Sequence, residues 1–118
     1  MYKNKVGRFG EELAKKYLIK KGYFIIGQNI KLSYKELDIV ARHENKIIFI
    51  EVKTKISNKF GTADENMNSR KLHHLKKAIG MYVENKRLDP DNIRLDLISI
   101  DIDRIKKIAK IKHYKDIF

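Results

Sequence analysis

Two apolar runs separated by a short polar stretch place the strongest constraint on the fold of this chain. The first run is Leu37–Ala41, and the second is Ile47–Ile50. The polar stretch between them, Arg42–Lys46, is typical of a tight turn. The pattern predicts a β-hairpin with strands at about 36–42 and 46–53, and with Glu44-Asn45 as a two-residue turn.

Charged residues interrupt the first run at Asp38 and follow the second run as Glu51-Val52-Lys53. Side chains alternate between faces along a strand, so Glu51 and Lys53 share one face and Val52 points to the other. With a two-residue turn, Asp38 lies opposite Glu51, and Glu36 lies opposite Lys53. Opposed Cβ atoms are about 5 Å apart. A slip of one residue would move one carboxylate to the other face.

Two opposed carboxylates repel each other and destabilise a sheet unless their charge is compensated. A divalent cation is the simplest compensation, and oxygen ligands suit Mg²⁺ or Mn²⁺. The alternative is an ordinary hairpin with a solvated charged face, on which Lys53 neutralises Glu51. The acid within an apolar run favours the metal, because charged side chains are seldom buried without partners.

The 118 residues carry 27 Lys and Arg against 15 Asp and Glu, a net charge of +12. This charge points to a polyanionic partner, with nucleic acid before an anionic membrane. A nucleotide bias of the genome is the alternative explanation for so many lysines.

The chain contains no cysteine, which excludes disulfides, cysteine-bound zinc and thiol nucleophiles. No apolar stretch approaches the roughly 18 residues of a membrane span, and the N-terminus lacks the apolar region of a signal peptide. We therefore expect a cytoplasmic protein with no membrane partner.

The order of the predicted elements is α-β-β-β-α-β, which predicts an α/β fold with a mixed β-sheet flanked by helices. We expect residues 1–118 to form a single domain, in which 101–118 is a basic C-terminal tail that the pattern does not assign. The buried stripe of the second helix is predicted to be Leu72, Leu75, Ile79, Tyr82 and Val83. Besides the hairpin, hydrophobic spacing and turn residues predict a helix over Val6–Lys21 ended by Gly22, a strand over Tyr23–Ile26 with a bend or bulge at Gly27–Asn29, a helix over Asn66–Lys86, a turn at Asp89–Asn92 and a strand over Ile93–Ile100.

At these residues the chain resembles the YraN-like family of uncharacterised bacterial proteins, within the PD-(D/E)xK nuclease superfamily. The motifs that match are Gly7–Ala14 (G-x-x-G-E-x-x-A), Tyr17-Leu18, Glu36–Val40, Phe49–Lys55, Phe60-Gly61, Lys71, Arg94–Asp96 and His113–Phe118. One departure is Lys35, where the family usually has glycine. Archaeal Holliday junction resolvases are similar more loosely, through a helix glutamate, a strand aspartate and E-x-K.

The resemblance implies a restriction-endonuclease-like fold and a metal-dependent DNA endonuclease, acting in repair or recombination. Asp38 and Glu51 would bind Mg²⁺ or Mn²⁺, with the carbonyl of Val52 as a third ligand, and Lys53 would hold the attacking water. Only the resemblance adds Glu11 of the first helix as a catalytic residue and metal ligand.

Other charged residues are assigned supporting roles. Glu36 shares the face of Asp38, although pairing with a lysine is the alternative for it. The candidates for phosphate contacts are Lys35, Lys55, Arg70 and Lys71, and a solvated face is the alternative for each. By analogy with junction-cutting relatives we expect a homodimer. The alternative function is a non-catalytic nucleic-acid-binding module with a nuclease-like fold, and RNA as the partner stays open.

Overall fold

The computed structural model describes residues 5–32, 35–56 and 69–117. The strands form one sheet in the order β1-β2-β3-β4-β5, in which β3 and β4 are parallel and the other neighbours are antiparallel. The mixed α/β fold in the predicted order is confirmed, and β5 adds a strand within the unassigned tail. The elements are α1 (Lys5–Lys20), β1 (Phe24–Leu32), β2 (Lys35–His43), β3 (Lys46–Ile56), α2 (Ser69–Asn85), a 3-10 turn (Pro90–Asn92), β4 (Ile93–Asp103) and β5 (Ile108–Tyr114).

The two helices cover opposite faces of the sheet. Ile48 and Ile50 of β3 pack in one core cluster with Ala14 of α1, whereas Phe49 packs in another with Ile79 of α2. We call these the α1 face and the α2 face. Because the central strand is covered on both sides, its apolar run is continuous rather than alternating.

The β2–β3 hairpin has the predicted register. Glu44 and Asn45 have φ angles of 50° and 67°, as a type I′ turn requires at both of its central positions. The predicted two-residue turn is therefore confirmed. The pairs are His43↔Lys46, Arg42↔Ile47, Ala41↔Ile48, Val40↔Phe49 and Ile39↔Ile50.

The ends of the elements follow local turn chemistry. Gly22 ends α1 in the left-handed region, at φ 94°. The N–H of Tyr23 donates to the carbonyl of Leu18 at 2.9 Å, and the N–H of Gly22 donates to Ile19 at 3.0 Å. This pair of bonds is the Schellman motif, which glycine favours. Strand β1 also has a bulge, but its register shift lies between Ile25 and Gly27, just before the predicted Gly27–Asn29. The strand continues through those residues to Leu32.

Some predicted boundaries differ from the structure. Helix α1 begins and ends one residue early, at Lys5 and Lys20, and α2 ends at Asn85. In α2, Ala78 joins the predicted stripe and Leu72 is only partly buried. The predicted start of α2 at Asn66 lies outside the described residues, as do Phe60-Gly61 and Phe118. None of the described helices is long and apolar enough to cross a membrane.

A buried carboxylate holds β5 and the C-terminal segment against β4. Asp96 Oδ1 accepts hydrogen bonds from Arg94 Nε and from the N–H of Asp116, both at 2.9 Å. Its Oδ2 accepts from Arg94 Nη2 at 2.8 Å and from His113 Nε2 at 2.7 Å. Tyr17 Oη of α1 lies 3.0 Å from His113 Nδ1. An ionised carboxylate offers about four acceptor sites, so the acceptor capacity of Asp96 is filled. We call these five residues the Asp96 network.

Candidate functional site

Strands β2 and β3 stop pairing directly before Asp38 and Glu51. The last pair is Ile39↔Ile50, after which the N–H of Val52 donates to Asp38 Oδ2 at 2.9 Å. A side-chain carboxylate thus accepts from a backbone N–H just beyond the end of the ladder. The structure brings the two acids together where the strands part, and we call them the carboxylate pair.

The position of Glu51 is electrostatically unfavourable for a charged group. Burial and, second to it, the neighbouring Asp38 raise the pKa of Glu51, whereas Lys35 and Lys71 lower it, and the net value is about 7. Glu51 is 9% exposed and Asp38 is 5% exposed. Lys35 Nζ lies 3.7 Å from Glu51 Oε2. Oε1 of Glu51 is buried without a hydrogen-bond partner in the part of the chain that the structure describes.

These properties fit a hard divalent cation. A cation at the carboxylate pair would offset the repulsion between the acids and would give the buried Glu51 Oε1 a partner. Within residues 5–32, 35–56 and 69–117, no three His, Asp or Glu side chains are grouped closely enough to hold a metal ion. Mg²⁺ is commonly bound by one or two carboxylates and completes its coordination with water. The donor set therefore suits Mg²⁺ or Mn²⁺.

Three of the other predicted site residues, Val52, Lys53 and Glu36, lie within two residues of the pair along the chain. Lys53 is the cation among them. It follows Glu51 by two residues on β3, so it shares the α2 face, and it is partly buried. Val52 packs toward the α1 face, and its carbonyl as a ligand stays a prediction. The predicted alignment of Glu36 with Lys53 lies beyond the paired part of the two strands.

Glu11 lies on α1, which covers the opposite face of the sheet from α2. It is 4% exposed, so it is not a solvated helix glutamate. The neighbouring Gly10 lies directly against Thr54 of β3, close enough that a Cβ would overlap with the threonine side chain. This contact places the start of α1 beside the end of β3. The role of Glu11 at a metal stays a prediction.

The basic candidates occupy different positions. Arg70 and Lys71 are exposed in the first turn of α2, and Lys55 lies on β3 opposite Asp101 of β4. Lys71 is close enough to Glu51 to lower its pKa. Their contacts with phosphate stay predictions.

The ion pair of Lys35 with Glu51 was missed by the sequence reasoning. The sequence carried one signal, namely a lysine where the resembling family usually has glycine. The partner of that lysine could not be inferred, because residues 35 and 51 meet only across two strands that are no longer paired. In the structure, Lys35 offsets part of the negative charge of the carboxylate pair.

Comparison with known proteins identifies the relatives of the chain. Residues 10–100 match the model of the uncharacterised protein family UPF0102. A UPF0102 protein of Caldicellulosiruptor bescii is 41% identical over 114 residues, which cover 96% of each chain. One of Flavobacterium psychrophilum is 39% identical over 115 residues, covering 98% of this chain and 94% of the relative. One of Clostridium tetani is 32% identical over 117 residues, covering 99% of this chain and 96% of the relative. The chain therefore belongs to the UPF0102 family, as the YraN-like resemblance indicated.

Proposed function

We propose that this protein is a Mg²⁺- or Mn²⁺-dependent endonuclease that hydrolyses DNA in the cytoplasm, in repair or recombination. The observation that carries the proposal is the buried carboxylate pair where β2 and β3 part. Two buried acids that repel each other destabilise a fold. Perturbed, clustered acids of this kind are characteristic of functional sites.

The residues of the site have different roles in hydrolysis. A bound divalent cation supplies a more acidic water and neutralises charge on the phosphate. Asp38 and Glu51 hold the cation, with the Val52 carbonyl and Glu11 as candidate ligands. Lys53, fixed on its strand beside Glu51, orients the attacking water and stabilises the negative charge that develops on the phosphate.

The reaction needs no covalent intermediate with the protein. The water oxygen gives up one proton to solvent as it bonds to phosphorus, the bond from phosphorus to one sugar oxygen breaks, and that oxygen takes up a proton from solvent as it leaves. Arg70, Lys71 and Lys55 support the proposal as candidate phosphate contacts, which position a backbone without reading its sequence. A net charge of +12 favours the encounter with any nucleic acid.

The decisive experiment is a cleavage assay on single-stranded, duplex, flap and four-way-junction DNA, each with Mg²⁺ or Mn²⁺, and on matched RNA. We expect the wild type to cut at least one DNA substrate. Glu51→Ala and Lys53→Ala should each lose about 100-fold or more of that activity, the range found when one electrostatic contributor is removed. Glu12→Ala, which changes an exposed acid of α1, is the matched control. Wild-type cleavage no greater than that of Glu51→Ala would contradict the proposal.

Calorimetric titration separates this proposal from a non-catalytic nucleic-acid-binding module. An enzyme should bind Mn²⁺ at millimolar concentration or below, and Glu51→Ala should weaken that binding. A protein that binds nucleic acid but shows no metal binding, with or without DNA, would be a non-catalytic module.

We also propose a homodimer, because cutting both strands of a duplex takes two sites. Light scattering after size exclusion measures the molar mass in solution.

A further inference from the structure

The hairpin of β4 and β5 carries a concentration of positive charge that the proposed catalytic roles do not use. Residues 104–115 include six Lys or Arg and no Asp or Glu. Five of these cations lie on β5 and on the turn before it, and all five are exposed. We call them the basic track: Arg104, Lys106, Lys107, Lys110 and Lys112.

Strand register places the β5 cations of the track on the same face as Glu51. Paired residues of neighbouring strands share a face, and alternate residues along one strand do as well. Phe49 and Leu95 pack in the cluster of the α2 face, and Ile111 packs against that of the α1 face. Lys110 and Lys112, on either side of Ile111, therefore lie on the α2 face. Across β3, β4 and β5 the rows are Glu51–Leu97–Tyr114, Lys53–Ser99–Lys112 and Lys55–Asp101–Lys110.

The turn at the end of the hairpin is held by hydrogen bonds from its backbone N–H groups to the Asp103 carboxylate. Asp103 Oδ1 accepts the N–H of Ile105 at 3.0 Å and that of Lys106 at 3.1 Å. Lys107 has a left-handed φ of 55°. Ile105, between two cations of the track, is 74% exposed. The turn thus presents an apolar side chain and flanking cations on an ordered backbone.

The length of the track matches a short stretch of DNA duplex. Strand β4 advances six residues from Leu97, which pairs with Glu51, to Asp103. This distance is about 20 Å at ~3.3 Å per residue. The same distance spans about six base pairs at ~3.4 Å per step.

We propose that the basic track binds the phosphate backbone of a DNA duplex on one side of the bond to be cut, over about six base pairs. Its cations neutralise successive phosphates, and Ile105 packs against the sugar edge at the far end of the contact. The inference rests on the proposed function for the identity of the polyanion and for the place of the scissile bond.

An anionic lipid surface is the other polyanion that an exposed isoleucine among cations suits. DNA is favoured because the track is continuous with the rows that begin at Glu51. The two exposed isoleucines of this hairpin, Ile105 and Ile108, also supply little of the apolar area that membrane binding needs.

The test compares two double variants that remove the same charge from exposed positions. Arg104→Ala/Lys106→Ala alters the track, and Lys16→Ala/Lys20→Ala alters α1. Binding of a 20-base-pair duplex is measured by fluorescence anisotropy across a series of salt concentrations, without divalent metal so that nothing is cut. We expect the track variant to reduce the slope of log K against log salt by about 1.8, because each lost phosphate contact on B-DNA contributes ~0.9. The α1 variant should leave the slope within about 0.5 of the wild type.

Equal slopes for the two variants would overturn the track, as would a wild type that binds no duplex. A lipid surface would be the partner of the turn if the wild type binds phosphatidylglycerol vesicles, Ile105→Ala abolishes that binding, and the same variant still binds DNA normally. That result would also overturn the track proposal. Thermal unfolding checks that both variants are folded, and Arg104→Gln/Lys106→Gln replaces the first variant if it is not. Duplex binding in this assay, together with no cleavage in the separate assay with Mg²⁺ or Mn²⁺, would contradict the nuclease proposal and leave the track proposal standing. The two failures are therefore distinguishable.

Discussion

At the scale of single residues, Glu51 is where opposing electrostatic effects meet. Burial and the neighbouring Asp38 disfavour its charged form, whereas Lys35 and Lys71 favour it. The first two effects prevail, since the pKa of Glu51 is raised to about 7 from an ordinary value of 4.5. The charged carboxyl therefore weakens the folded state at neutral and alkaline pH, and a cation at the pair would relieve that cost.

Glu51→Gln should stabilise the metal-free protein at pH 8. The folded pKa of Glu51 lies above the unfolded one, so the wild type loses stability as pH rises between the two values, and a neutral amide removes that loss. We expect a gain of about 1–2 kcal/mol in the free energy of unfolding at pH 8 and little difference at pH 4, where the carboxyl is mostly protonated in both states. Urea unfolding at the two pH values measures it. Glu12→Gln, at an exposed site, is the control, and a destabilised Glu51→Gln at pH 8 would count against this account.

Lys35→Ala should tighten metal binding. Lys35 Nζ, 3.7 Å from Glu51 Oε2, holds positive charge where a cation would bind, and its removal relieves that repulsion. A partly exposed pair contributes about 1 kcal/mol at most, which corresponds to about fivefold in affinity. Calorimetric titration with Mn²⁺ at pH 8 measures it, with the exposed Lys46→Ala as the control. Unchanged or weaker affinity would show that Lys35 does not compete with the metal.

At the scale of elements, the position of α1 depends on a close approach to β3. Gly10 touches the side chain of Thr54, a β-branched residue with little rotamer freedom. Helix α1 also carries Glu11, so the distance between this helix and the sheet sets where that acid lies. A glycine here serves packing rather than backbone freedom.

Gly10→Ala should destabilise the protein by about 2–3 kcal/mol, because the added Cβ overlaps with Thr54 and the helix has to move away from the sheet. Gly80→Ala in α2 is the matched control. Among the described residues, no atom other than its chain neighbours and its own helix backbone lies within 4 Å of the Cβ that would be added. That change should instead stabilise by up to about 1 kcal/mol through helix propensity. Thermal unfolding of the two variants measures the contrast. Equal effects would mean that α1 does not depend on the close contact.

At the scale of the whole molecule, the Asp96 network joins α1, β4, β5 and the C-terminal segment through one carboxylate. Burial alone would raise the pKa of Asp96, but hydrogen bonds from His113, Arg94 and the N–H of Asp116 lower it to about 2. An ionised carboxylate accepts only, so His113 donates from Nε2. The Nδ1 atom of a neutral His113 then accepts from the hydroxyl of Tyr17.

Acid should weaken the protein through this network. The folded pKa of Asp96 lies below the unfolded one, so its contribution of about 2 kcal/mol is present above pH 4 and is lost as pH falls toward 2. Asp96→Asn should cost about 3–5 kcal/mol at pH 7, because it leaves the charge of Arg94 without its buried partner. It should also reduce the change in the free energy of unfolding between pH 4 and pH 2. Chemical unfolding across that range measures both, with the exposed Asp91→Asn as the control. An unaltered pH profile in Asp96→Asn would contradict this account.

Local patterns in the sequence were enough to predict the hairpin and hence the carboxylate pair. The turn depends on adjacent residues, and once its length is set every cross-strand pair follows by counting. The five pairs of β2 and β3 confirm that count. Strand β5 was not predicted, because its charged residues alternate with apolar ones only weakly. It is an edge strand, which pairs with β4 alone. Every residue of β5 is exposed or only partly buried.

The sequence by itself determined which residues form the turns and all the strands except β5, because periodicity and turn chemistry act over a few neighbours. It also placed Asp38 and Glu51 on one face before any fold was known. Only the tertiary structure decided that Lys35 meets Glu51, that Asp96 binds His113, and that the β5 cations share the face of Glu51. Those contacts join segments far apart in the chain, and their geometry follows from how strands and helices pack rather than from any local pattern.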